Sequence, residues 1–236
     1  MNEQHISSAY DRDLEGITTL IMKMGGLVEE AILKAVKSLS DRDIELAEEI
    51  RSGDKAIDAL EMQINEEAAR TIALRAPVSK DLRSILTVLR LAASLERIGD
   101  YAKNIAKRTS VLVDMSPVSG ADVALRRMAR EVEGMLKDTL DAYLRGDAEM
   151  AEDVRQRDQE VDQMYNALFR EFLTFMMEDP RNITACMHLH FMAKNIERMG
   201  DLTTNMAEQV IYLVTGEMPD ESRPKSDKTA YVTDPG

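Results

Sequence analysis

Two stretches, LERIGDYAKN (95–104) and IERMGDLTTN (196–205), share the pattern Glu-Arg-x-Gly-Asp-x-x-x-Asn at an offset of 101 residues. Upstream of each lies a second matching pair, DIELAEEIRSGDKAID (43–58) and DAEMAEDVRQRDQEVD (147–162), at an offset of 104. Two matches in the same order at nearly equal offsets mark an internal duplication, and a repeated unit buries its apolar face against its neighbours. The chain therefore reads as two copies of one unit.

The unit is helical. Three of the six prolines, Pro219, Pro224 and Pro235, fall near the end, and the others are Pro77, Pro117 and Pro180. Between these breaks lie long stretches rich in Ala, Leu, Met, Glu, Lys and Arg, which are good helix formers. Apolar residues recur in steps of three and four, as in Leu14, Ile17, Ile21, Met24, Val28, Ala31 and Ala35. That average step of about 3.5 is the seam of a left-handed bundle. The same spacing returns in Ile50, Ile57 and Ile64, in Leu82, Ile85, Leu89 and Ala92, and after Pro117 in Leu125, Met128, Val132 and Met135.

Six helices are expected at 9–39, 43–73, 78–113, 121–145, 147–177 and 181–215. The fold class is all-α: two pseudo-symmetric three-helix bundles, over 9–113 and 121–216, joined through DMSPVSGAD (114–122). From Gly216 the chain is polar, proline-bearing and aperiodic, and 217–236 is expected to be a disordered tail.

Each copy carries two acidic pairs four residues apart: Asp54/Asp58 and Glu96/Asp100 in the first, Asp158/Asp162 and Glu197/Asp201 in the second. Residues at this spacing share a helix face. Counting the seam forward from Ala92 reaches Glu96 and Asp100, and from Ile50 it reaches Asp54 and Asp58, so acids sit where apolar residues belong. The two pairs of a copy are also level. The midpoints of 54–58 and 96–100 average to residue 77, which is Pro77 in the turn, and those of the second copy average to the turn at Asp179-Pro180. Equal arms of an antiparallel hairpin bring four carboxylates together, about 30 Å from the turn at 1.5 Å per residue.

Four clustered carboxylates need positive charge among them. Oxygen donors suit hard cations such as Mg²⁺, Ca²⁺ or Mn²⁺, and carboxylates also hold iron. Neutralisation by basic side chains is the competing solution. Lys55, Arg97 and Arg198 are adjacent in sequence but point elsewhere, which leaves first-helix lysines such as Lys23 or Lys34. Gly99 and Gly200 precede one acid of each set and leave room for an ion cluster or for a close helix. Asn104 and Asn205 follow the aspartates by one turn on the same face, as further ligands, as support behind the ligands, or as local hydrogen-bonding groups. His5, His188 and His190 contribute little, because His190 lies two turns from Glu197, about 10 Å away. The sixteen methionines mostly follow helical spacing and read as core.

Composition excludes several classes. With 43 Asp and Glu against 30 Lys and Arg, the net charge of −13 repels nucleic-acid phosphates and anionic lipid. One cysteine, Cys186, makes neither an internal disulfide nor a cysteine-based zinc site. No run of 18 apolar residues and no signal-peptide core is present, so a soluble cytoplasmic protein is expected. No GxxxxGK(S/T) loop supports nucleotide chemistry.

The four acidic motifs, the paired ERxGD sequences and the turn APVSKDLR (76–83) resemble the PhoU family over residues 9–215. The second turn, EDPRNITA (178–185), departs from the form of the first. The resemblance implies a non-enzymatic cytoplasmic regulator of phosphate uptake, with metal ions (Mg, Mn, Fe or Zn) on Asp54, Asp58, Glu96, Asp100, Asp158, Asp162, Glu197 and Asp201. It further implies two partners, the ATPase subunit of a phosphate ABC transporter and a sensor histidine kinase restrained when phosphate is ample. The residues themselves leave the oligomeric state open, with a homodimer as the working expectation. Two other readings are a purely structural helical adaptor and a carboxylate-bridged metal store or oxidase. The latter class uses Glu-x-x-His pairs, and no Glu precedes a His by three here.

Overall fold

The computed structural model describes residues 3–219, in which six α-helices are joined by short connections. They are α1 (Glu3–Asp41), α2 (Ile44–Arg75), α3 (Lys80–Leu112), α4 (Ala121–Arg145), α5 (Ala148–Glu178) and α6 (Ile183–Thr215). No strand occurs among the described residues. The all-α expectation holds, and α2 to α5 lie within two residues of their expected limits. Helix α1 begins six residues earlier than the expected start at 9. Before α6, Pro180–Asn182 form a single 3-10 turn, so α6 starts at Ile183 rather than 181. Proline's fixed φ and the Asp179 side chain, which accepts from Arg181 N at 3.0 Å, account for that tight turn. Of the tail expected over 217–236, residues 220–236 lie outside the described residues.

The duplication is visible in the caps. Asp43 accepts from Leu46 N at 2.9 Å and Asp147 from Met150 N at 3.0 Å, so one cap starts α2 and its counterpart α5. Helix α4 ends at Gly146 and α6 at Gly216, both left-handed, where glycine carries no steric cost. The first hairpin turn is less relaxed. Ala76 (φ 46°) and Ser79 (φ 51°) flank Pro77-Val78 in conformations that L-residues rarely adopt.

Helices α1, α2 and α3 pack against one another, and so do α4, α5 and α6. The two bundles meet where α3 runs along α6 and α1 along α4. The seam of α1 is buried at Ile17, Ile21, Met24, Val28 and Ala35 as the spacing requires. Leu14 and Ala31, also expected there, are only partly buried, while Ile32 and Val36 are buried. A straight helix drifts about 20° per heptad against a 3.5-residue repeat, and α1 must cover α4 as well as α2 and α3. Polar contacts fix the register between the bundles: Arg83 Nη1 donates to Tyr212 O at 3.2 Å, and Arg90 Nη1 to Gln209 Oε1 at 2.5 Å.

Candidate metal centres

Asp54 and Asp58 lie on α2, and Glu96 and Asp100 on the antiparallel α3. One contact establishes that they are level. Lys103 Nζ donates to Asp100 Oδ1 at 2.7 Å, and also to Asp54 Oδ2 across the seam. In the second bundle Thr204 Oγ1 of α6 donates to Asp158 Oδ1 of α5 at 3.2 Å, while Lys194 Nζ donates to Glu197 Oε1 at 2.8 Å. Asp54, Asp158, Asp162 and Glu197 are only 4–6% exposed. Asp58, Glu96, Asp100 and Asp201 are half-buried.

The electrostatics are those of crowded acids. Burial pushes the Glu96 carboxyl above its ordinary range, and Asp100, Glu61, Asp58 and Asp54 push it further. Burial also raises Asp54 and Glu197, outweighing the lowering by Lys103 and Lys194 respectively. Lys103 is shifted upward by its bonds to Asp100 and Asp54, which hold the ammonium charged.

One buried carboxylate oxygen in each acidic set is left without a hydrogen-bond partner: Asp54 Oδ1 in the first and Glu197 Oε2 in the second. A buried carboxylate oxygen without a donor is costly, and a cation would satisfy it. On that observation the donor sets fit a hard cation. Among the described residues, no three His, Cys, Asp or Glu side chains gather about one point as a metal cage.

The basic partners are not those the sequence suggested. Lys34 lines one cavity with Asp54, yet it pairs with Glu30 at 2.8 Å and with Glu49 at 2.5 Å. Lys103 and Lys194 went unread, although each lies three residues from an acid it contacts, the spacing of neighbours on a helix face. Glu61, which adds charge against Glu96, was also missed. Its counterpart at the second offset is Tyr165, whose ring lies under Lys194 Nζ at 4.8 Å. Asn104 and Asn205 are exposed. His190 packs among Tyr165, Phe169 and Phe191, with ring centroids 5.3–5.9 Å apart, as a core-edge histidine.

Gly99 and Gly200 serve close packing. A β-carbon on Gly99 would meet Ile57 Cδ1 at 3.0 Å, and one on Gly200 would meet Val161 Cγ1 at 3.3 Å.

The chain is similar to known proteins over most of its length. The family model of the PhoU domain matches residues 21–109 and again 125–210. A protein of Rhizobium meliloti called phosphate-specific transport system accessory protein PhoU homolog is 46% identical, over 98% of this chain and 98% of its own. A Caulobacter vibrioides protein of the same description is 44% identical over 95% of this chain and 97% of its own. The crystal structure of PhoU from Pseudomonas aeruginosa superposes with a TM-score of 0.84 at 39% identity, covering 88% of this chain and all of that one. That of the phosphate transport system regulatory protein PhoU from Streptococcus pneumoniae gives 0.83 at 31% identity, covering 89% and 99%.

Proposed function

This chain belongs to the PhoU family, and on that premise we propose that it is a non-catalytic accessory protein of phosphate transport acting in the cytoplasm. It restrains phosphate-starvation signalling when phosphate is ample, linking the ATPase subunit of a phosphate ABC transporter to a sensor histidine kinase. Near-full-length identity to relatives named as accessory proteins of that transport system carries this reading. No helix among the described residues is long and apolar enough to cross a membrane, which agrees with a protein that meets a transporter from outside the bilayer.

Divalent cations belong to the same proposal. Asp54, Asp58, Glu96 and Asp100 would hold one site, and Asp158, Asp162, Glu197 and Asp201 the other. A bound ion would supply the positive charge that crowded carboxylates lack, tying α2 to α3 and α5 to α6. The orphaned oxygens of Asp54 and Glu197 support this reading. Until an ion binds, Lys103 and Lys194 offset part of the charge through Asp54 and Glu197.

Deletion of the protein tests its role. Phosphate-scavenging enzymes should rise in phosphate-rich medium, and unchanged expression there would refute the regulatory reading.

A further inference from the structure

Positions 103 and 204 correspond in the internal repeat, yet they hold a lysine and a threonine. Both side chains reach the buried aspartate of their own bundle, Asp54 or Asp158. The threonine hydroxyl is fully buried and brings no charge, and it also donates to Gly200 O at 3.0 Å. The lysine brings a full positive charge, placed between acids of two helices. An ammonium there supplies, from within the chain, what a divalent cation would bring to the first set.

The side chain is also free to leave. Lys103 is 37% exposed, whereas Asp54 is 6% exposed at the side chain and cannot follow it into water. A long flexible stem rooted on α3 lets the ammonium exchange its two carboxylates for solvent by rotation alone. Even with Lys103 in place, Asp54 Oδ1 has no donor.

We propose that Lys103 is a tethered counter-ion of the first acidic set, bridging Asp54 and Asp100 in the metal-free protein and swinging out to solvent when a divalent cation enters. The inference rests on the reading that these acids hold metal. Its consequence is that the first set binds its ion more weakly than its acids alone would, because two charge-assisted hydrogen bonds must be broken first. Lys103 is thus a positioning residue that sets the concentration at which the first set fills.

Titration of chelator-stripped, full-length protein with Mn²⁺, reading free ion by its paramagnetic resonance, tests this directly. Lys103→Thr installs the residue of the second bundle, and Lys103→Gln keeps the length of the chain without its charge. Each should tighten one class of Mn²⁺ sites about tenfold or more, since a hydrogen bond to a charged group is worth at least the roughly 1.4 kcal/mol that a factor of ten represents. In chelator both variants should melt below the wild type, and saturating Mn²⁺ should close that gap. Isotherms that match the wild type, or are weaker, would overturn the counter-ion role while leaving metal binding intact. Absence of Mn²⁺ binding in the wild type and in both variants would overturn the metal reading itself and this inference with it.

Discussion

Gly99 of α3 lies beside Asp54 of α2, where a β-carbon would stand in ordinary contact, 3.7 Å from Asp54 Oδ1; Gly200 stands to Asp158 Oδ1 at the same distance. What the missing β-carbon makes room for is the apolar neighbour of that aspartate, Ile57 at 3.0 Å in the first bundle and Val161 at 3.3 Å in the second. The same local packing therefore recurs beside the buried aspartate of each set.

The glycines separate into two kinds. At Gly99 an added methyl meets the flexible end of Ile57, and the crowding opposes a helix-propensity gain of about 1 kcal/mol. Gly99→Ala should therefore change unfolding free energy by less than about 1 kcal/mol. At Gly25 the methyl would fall 2.3 Å from Leu140 Cδ1, a buried side chain on α4 where the bundles meet. Gly25→Ala should cost about 1–3 kcal/mol by overpacking. Urea denaturation of the two variants checks the contrast, and equal losses would contradict it.

Burial and the carboxylates of Asp100, Glu61, Asp58 and Asp54 all push the Glu96 carboxyl upward. Replacing it with glutamine removes one repelling charge while keeping shape, so Glu96→Gln should stabilise the chelated protein by a few tenths of a kcal/mol, up to about 1. A clear loss in chelator would mean that a cation pairs with Glu96 after all. Thermal melts decide it.

That advantage must depend on pH in one direction. A carboxyl whose folded pKa is raised binds its proton more readily folded than unfolded. Its contribution to stability is complete below the unfolded value, about 4.3 for Glu, and is lost as pH rises through the raised folded value. Hence the gain from Glu96→Gln should be full near pH 7 and fade toward pH 4, where wild-type Glu96 is protonated. Melting temperatures in chelator across that window give the answer; a gain that grows on acidification would reverse the assigned sign.

The helix caps offer an independent check on the duplication. Asp43 and Asp147 accept from backbone amides of α2 and α5 in the same way. Asp43→Ala and Asp147→Ala should each cost about 1 kcal/mol, and their effects should add because the caps belong to different bundles. Strong non-additivity would indicate that the two starts are coupled.

Much of this arrangement is legible in the residues. Glu-Arg-x-Gly-Asp repeats at one spacing, the prolines mark the turns, and the arithmetic of hairpin arms puts Asp54 and Asp100 at one height, where Lys103 touches both. The lysine itself was harder to find. A repeat is read through the positions its copies share, and Lys103 and Thr204 are among those they do not. Its reach across the seam also depends on a rotamer that no spacing rule supplies. The drift of the α1 core from Ala31 to Ile32 was hidden for a related reason. Step counting assumes one partner surface, and α1 has three. The 3-10 turn at Pro180 reflects a local cap that carries no periodicity.

The central claim is that the two carboxylate sets hold divalent cations, and elemental analysis tests it most directly. The protein should be prepared without chelator or affinity metal, beside a variant carrying Asp54→Asn and Asp158→Asn. Wild type should hold bound metal that survives dialysis, and the variant far less, because each substitution removes the most buried acid of the α2 or α5 pair. Equal metal content in the two proteins, or none in the wild type, would contradict it.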